Sequence, residues 1–74
     1  MSKIIDLEAT VTGIVWEILA PAGTKVTEGD PVVALESMKM EIPVVATSNA
    51  TVVEVLVNKD DLVEEGQVIA RLET

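Results

Sequence analysis

Residues 9–37 read ATVTGIVWEILAPAGTKVTEGDPVVALES, and residues 46–74 read ATSNATVVEVLVNKDDLVEEGQVIARLET. The two stretches align without a gap at a constant offset of 37, with ten identities in 29 pairs, among them Val15/Val52, Glu17/Glu54, Leu19/Leu56, Gly29/Gly66 and Leu35/Leu72. That density exceeds chance even in a valine-rich chain. A period of this length marks a repeated supersecondary unit. Two copies in one small chain imply quasi-twofold symmetry, each half completing the core of the other.

Each copy has the same internal order. A strand is predicted over Gly13–Leu19 (Ala50–Leu56 in the second copy), followed by a short extended piece at Lys25–Val26 (Leu62–Val63). A turn falls at Glu28-Gly29-Asp30 (Glu65-Gly66-Gln67), and a last strand covers Val32–Ser37 (Ile69–Thr74). Ile4–Glu8 and Met40–Val45 supply a leading strand to each half. Gly29 and Gly66 are expected where the backbone takes positive φ. Pro21 closes the first long strand because it cannot donate to a sheet ladder. No segment has a 3.6-residue apolar period bounded by caps. The expected fold is all-β: two four-stranded antiparallel sheets in a flattened barrel or sandwich with internal quasi-twofold symmetry.

Alternation sets most of the faces. Val33, Leu35, Ala70 and Leu72 are expected inside, with Glu36, Arg71 and Glu73 outside. The Gly13 strand resists this reading. Placing Glu17 and Glu54 outside puts Trp16, Ile18, Val53 and Val55 inside, yet Val15, Val52, Leu19 and Leu56 share the glutamate side. Either a bulge or a strand buried on both faces accounts for it. Trp16 is read as core or rim packing.

Seventy-four residues form one domain, spanning 1–74, with halves at about 9–37 and 46–74. A chain this short buries only roughly 60% of its unfolded surface, so its core must be efficient. The chain carries 13 Val, 6 Ile, 6 Leu and 7 Thr against a single Trp and no Phe or Tyr. Branched residues of this kind suit a pleated, half-buried surface. Without cysteine there is no disulfide or thiolate chemistry, and without cysteine or histidine no metal site is indicated. The opening Met-Ser-Lys-Ile-Ile-Asp lacks the apolar stretch of a signal peptide, and no run approaches the ~20 apolar residues of a membrane helix. A cytoplasmic protein without a membrane partner is expected. A net charge of −8 and the lack of aromatic stacking residues weigh against nucleic acid as a partner. The same charge could steer the domain toward basic clefts on other proteins.

Between the copies stands Glu36-Ser37-Met38-Lys39-Met40-Glu41. One strand ends at Ser37 and the next begins near Met40, so Met38 and Lys39 must form the turn. Two-residue hairpins favour Asn-Gly, Asp-Gly or Gly-X, because their central residues need positive φ. Positive φ at Met38 and Lys39 is therefore expected, and with it backbone strain of the kind found at functional sites. The flanking methionines offer an adaptable apolar contact to another protein.

This hexapeptide resembles the attachment motif of biotinyl domains, the biotin carboxyl carrier proteins of biotin-dependent carboxylases. The resemblance covers essentially the whole chain through the gapless duplication, the paired Glu-Gly turns and the central Met-Lys-Met. It is strongest for short single-domain carriers without an inserted thumb-like loop. The chain departs from the pattern in lacking proline in Ala9-Thr10-Val11-Thr12-Gly13, in having Asn49-Ala50 where glycine is usual, and in placing Ser37 where alanine is common.

The resemblance implies that Lys39 is acylated by a biotin protein ligase, with Glu36, Ser37, Met38, Met40 and Glu41 as flanking recognition residues and biotin as covalent cofactor. It implies a biotin carboxylase, which uses ATP and bicarbonate, and a carboxyltransferase as partners, with an acyl-CoA or 2-oxoacid as acceptor, as in acetyl-CoA carboxylase. On this reading the chain is a carrier and not itself an enzyme, and the domain itself offers no obvious base for the lysine amine. Two other readings are a lipoyl carrier domain of a 2-oxoacid dehydrogenase, which usually has Asp before the lysine and Ala after it, and an unmodified interaction module.

Overall fold

The computed structural model describes residues 3–74. Met1 and Ser2, with which the signal-peptide reading begins, lie outside them. Eight strands follow in order: β1 Ile4–Glu8, β2 Gly13–Ile18, β3 Lys25–Val26, β4 Pro31–Ser37, β5 Met40–Val45, β6 Ala50–Val55, β7 Leu62–Val63 and β8 Val68–Glu73. No helix occurs among the described residues. The strands match the sequence reading to within a residue at each end.

They form two antiparallel four-stranded sheets, β1-β8-β6-β3 and β5-β4-β2-β7. A shift of 37 in residue number, up for the edge strands β1 and β3 and down for the central strands β8 and β6, converts one sheet into the other. Ile5 pairs with Leu72 as Ile42 pairs with Leu35, and Lys25 pairs with Thr51 as Leu62 pairs with Ile14. The central pair of each sheet comes from one half of the chain and both edges from the other half. Neither half therefore has a complete sheet of its own.

The core shows the same symmetry. Its buried residues fall into mates: Leu7/Val44, Ala9/Ala46, Val15/Val52, Ala20/Val57, Val26/Val63, Val32/Ile69, Val33/Ala70 and Leu35/Leu72. Each fully buried branched side chain contributes about 1.5–3 kcal/mol by leaving water. The inward positions expected in the last strands are all buried, and Glu36, Arg71 and Glu73 are exposed.

The ambiguous strand is resolved by a bulge. Pairing of β2 with β4 shifts register between Val15 and Glu17, and pairing of β6 with β8 shifts between Val52 and Glu54. The extra residues are Trp16 and Val53. Both turn outward, Trp16 with 48% of its surface exposed, while Val15 and Val52 are buried. The expectation that Trp16 and Val53 point inward is corrected here, because one added residue inverts the alternation on either side of it. Ile18 and Val55 return to the core side, half-buried against it.

The turns also exchange bonds between halves. Gly29 and Gly66 take φ of 92° and 87°. Gly29 N–H donates to the Ala46 carbonyl at 2.8 Å, and Gly66 N–H to Ala9 at 2.9 Å. A second pair of turns places Gly23 (φ 95°) at the position taken by Asp60 (φ 76°) in the other half.

Candidate functional site: the lysine hairpin

β4 and β5 are joined by two residues, Met38 and Lys39, with Ser37 paired to Met40 and Glu36 to Glu41. Met38 has φ 52° and Lys39 φ 66°. Positive φ at both central residues is the pattern of the tightest hairpin turn. For residues with a Cβ this conformation costs roughly 1–2 kcal/mol each. The strain expected from the sequence is present.

The strain has a geometrical result. A relaxed longer loop would let the lysine fold back on the body, whereas the tight turn holds it at the apex. Lys39 is exposed, and it has no ion pair or hydrogen bond among the described residues. Met38 is 92% exposed and Met40 64% exposed, so two large apolar side chains flank the amine in open solvent. Both face largely into solvent, which makes them available to another surface. Glu36 and Glu41 stand directly opposite one another at the base of the turn, a like-charge pairing that a sheet does not favour. The structure thus brings Glu36, Ser37, Met38, Lys39, Met40 and Glu41 together at one tip.

One residue of this site was not anticipated. Gly13, buried on β2, lies beneath the hairpin base, where an added Cβ would fall 2.5 Å from the Glu36 carbonyl oxygen and 3.4 Å from Ser37 Cβ. Its mate is Ala50, so the close approach belongs to one half only. The signal was the single Gly/Ala mismatch in the repeat at this strand position.

The symmetry-related place is where Thr74 meets Lys3. There Thr74 N–H donates to the Lys3 carbonyl at 2.9 Å, as the mates of Ser37 and Met40 should. The hairpin is the covalent link between the two halves, with Lys39 at its apex. Among the described residues there is no cleft or cavity and no cluster of acids able to hold a metal ion.

Residues 7–72 match the family model described as biotin-requiring enzyme. The chain is 42% identical to the biotin/lipoyl attachment protein of Bacillus subtilis over 62 residues, which cover 84% of this chain and 85% of that one. It is 40% identical to a biotinylated protein TB7.3 homolog of Mycobacterium leprae, covering 88% and 92% respectively. Among solved structures, urea carboxylase of Kluyveromyces lactis superposes with a TM-score of 0.90 and 34% identity over 95% of this chain. The match occupies 6% of that much longer carboxylase. The lipoyl domain of the 2-oxoglutarate dehydrogenase complex from Azotobacter vinelandii superposes with a TM-score of 0.75 and 26% identity, covering 92% of this chain and 94% of that one. The chain belongs to the biotin/lipoyl attachment family and is a biotinyl-type domain.

Proposed function

We propose that this chain is a biotin carboxyl carrier, with biotin joined through an amide to Lys39 Nζ. The observation that carries the reading is the Lys39 amine, exposed and unpaired at the apex of a strained turn between Met38 and Met40. The name of the Mycobacterium leprae relative and the likeness to a carboxylase support biotin over lipoate, as does the absence of Asp before Lys39 and Ala after it.

The residues fit the group. An amide needs a free amine that an enzyme can approach from several sides, and no part of the domain covers this one. A biotin protein ligase must take up the proton this amine gives up on acylation and supply the acyl group as an adenylate, from which AMP leaves as the amide forms. Met38 and Met40 give that ligase apolar contacts, and Glu36, Ser37 and Glu41 complete its recognition. When bound, biotin supplies a ring nitrogen that takes up and releases a carboxyl group. The domain presents that group on a rigid two-sheet body. Tethering can raise local concentration to the order of millimolar, so transfer between a biotin carboxylase and a carboxyltransferase becomes effectively intramolecular. Acid–base groups then reside in those partners, and the chain serves as a carrier in the cytoplasm. The acceptor is an acyl-CoA or a 2-oxoacid, with acetyl-CoA carboxylase as one such assembly. Reconstitution with purified partners and each acceptor in turn reads which.

Intact mass after co-expression with a biotin protein ligase tests the assignment. One biotinyl group on the parent chain and none on Lys39→Arg is expected. A lipoyl mass, or no added mass, rejects it.

A further inference from the structure

The two sheets share a backbone and differ in their outer faces. Across β5-β4-β2-β7, one lateral row reads Glu41, Glu36, Ile14, Leu62. Its mates across β1-β8-β6-β3 read Ile4, Glu73, Thr51, Lys25. In the next row Arg71 donates to Glu54 at 2.7 Å and Asp6 at 3.3 Å, where the first sheet has Ala34 between Glu17 and Pro43. One sheet thus turns a charged face to solvent. The other turns out Leu62, Trp16 and Ile14, exposed by 70%, 48% and 45%.

Folding does not require this. The mates of Leu62 and Ile14 are Lys25 and Thr51 on an equivalent backbone, so the fold accepts polar residues at both positions. Ile4 and Val53 are exposed on the charged sheet, but Glu73, Thr51 and Arg71 lie between them. Leu62 and Ile14 are direct cross-strand neighbours, and Trp16 is the bulged residue on the same strand as Ile14. Contiguous exposed apolar side chains of this kind mark a binding surface.

We propose that the outer face of the β5-β4-β2-β7 sheet is where the enzyme that acylates Lys39 seats itself, through an apolar patch bordered by arginine or lysine. The inference rests on the reading of Lys39 as the attachment residue. Continuity supports it, because the row that ends in Ile14 and Leu62 begins with Glu41 and Glu36 at the base of the Lys39 turn. Charge selects the partner. Glu36, Glu41 and Glu17 on this face complement a basic border. They oppose a second copy, which would set carboxylate against carboxylate between two chains of net charge −8.

The molecule provides its own control. Ile14→Thr, Trp16→Val and Leu62→Lys together install the residues of the other sheet. Lys25→Ala, Thr51→Ala and Val53→Ala alter the opposite face instead. Initial rates of biotinylation by purified biotin protein ligase are followed by intact mass against carrier concentration. We expect KM for the first triple variant to rise about tenfold, the size of losing one or two interface anchors. The control variant keeps the parent KM, and the parent KM rises with salt. Circular dichroism checks folding, and Leu62→Lys alone, at an exposed edge position, replaces the triple variant if that fails to fold. An unchanged KM in a folded variant overturns the proposal. So does a parent dimer, seen by sedimentation, that the triple variant abolishes, since it gives the face to a second copy. A parent chain that takes no biotin defeats the attachment reading first and is distinguished by that.

Discussion

Gly13 sits so close under Glu36 that a side chain on the first would collide with the carbonyl of the second, at 2.5 Å. Backbone, not a flexible side-chain tip, is in the way. Gly13→Ala should therefore cost about 1–3 kcal/mol by overpacking. The mate substitution Ala50→Gly should cost only about 0.5–1 kcal/mol, the loss expected for glycine in a strand. Urea unfolding of both variants measures the difference. Equal losses would show that the hairpin base yields freely.

Met38 is held at φ 52° with its side chain in solvent. Glycine takes that conformation without the Cβ clash, so Met38→Gly should raise stability by about 1 kcal/mol. The same change removes one apolar contact beside Lys39, so biotinylation should slow. A gain in Tm with a loss in rate would identify the strained turn as a functional compromise.

Arg71 joins β1, β8 and β6 across one outer face. Its pKa is raised, first by the hydrogen bond to Glu54 and then by that to Asp6. A cation with a raised folded pKa stabilises below its unfolded value and loses that contribution only as pH climbs through the folded one. The bridge is therefore constant through the neutral range and fails in strong alkali. Arg71→Ala should lower Tm at low ionic strength, and the difference should vanish near ~1 M salt, where the screening length is about 3 Å. Thermal melts at two salt concentrations settle it.

Leu35 and Leu72 are mates, and both are fully buried. Truncating either to alanine should cost about 2–5 kcal/mol, a large share of the roughly 5–15 kcal/mol available to a small domain. Similar losses at the two sites would extend the symmetry from geometry to energy. A wide disparity would confine it to the backbone.

The duplication made the eight strands and the inward residues of β4 and β8 legible, because identical residues at one offset constrain both copies together, and the strained turn followed from the two residues left between Ser37 and Met40. Alternation left the Gly13 strand open between a bulge and burial on both faces, since it cannot show where a residue is added; the pairing of Val15 with Leu35 and Glu17 with Ala34 reveals the bulge at Trp16. The Arg71 ion pairs depend on Asp6 and Glu54, far apart in sequence and neighbours only through β8. Gly13 was read as the start of a strand. Its closeness to Glu36 is a property of two strands at once, and the Gly13/Ala50 mismatch in the repeat is its one trace in the sequence.

Among the described residues β1 pairs only with β8, seven strands further along the chain. During synthesis β1 must wait, unpaired, until β8 leaves the ribosome. Such distant pairing predicts slow, all-or-none folding without a stable half-length intermediate. The turn bearing Lys39 thus gains its rigid support late, and a modifying enzyme that reads that support would meet its substrate only after β8 has emerged and paired.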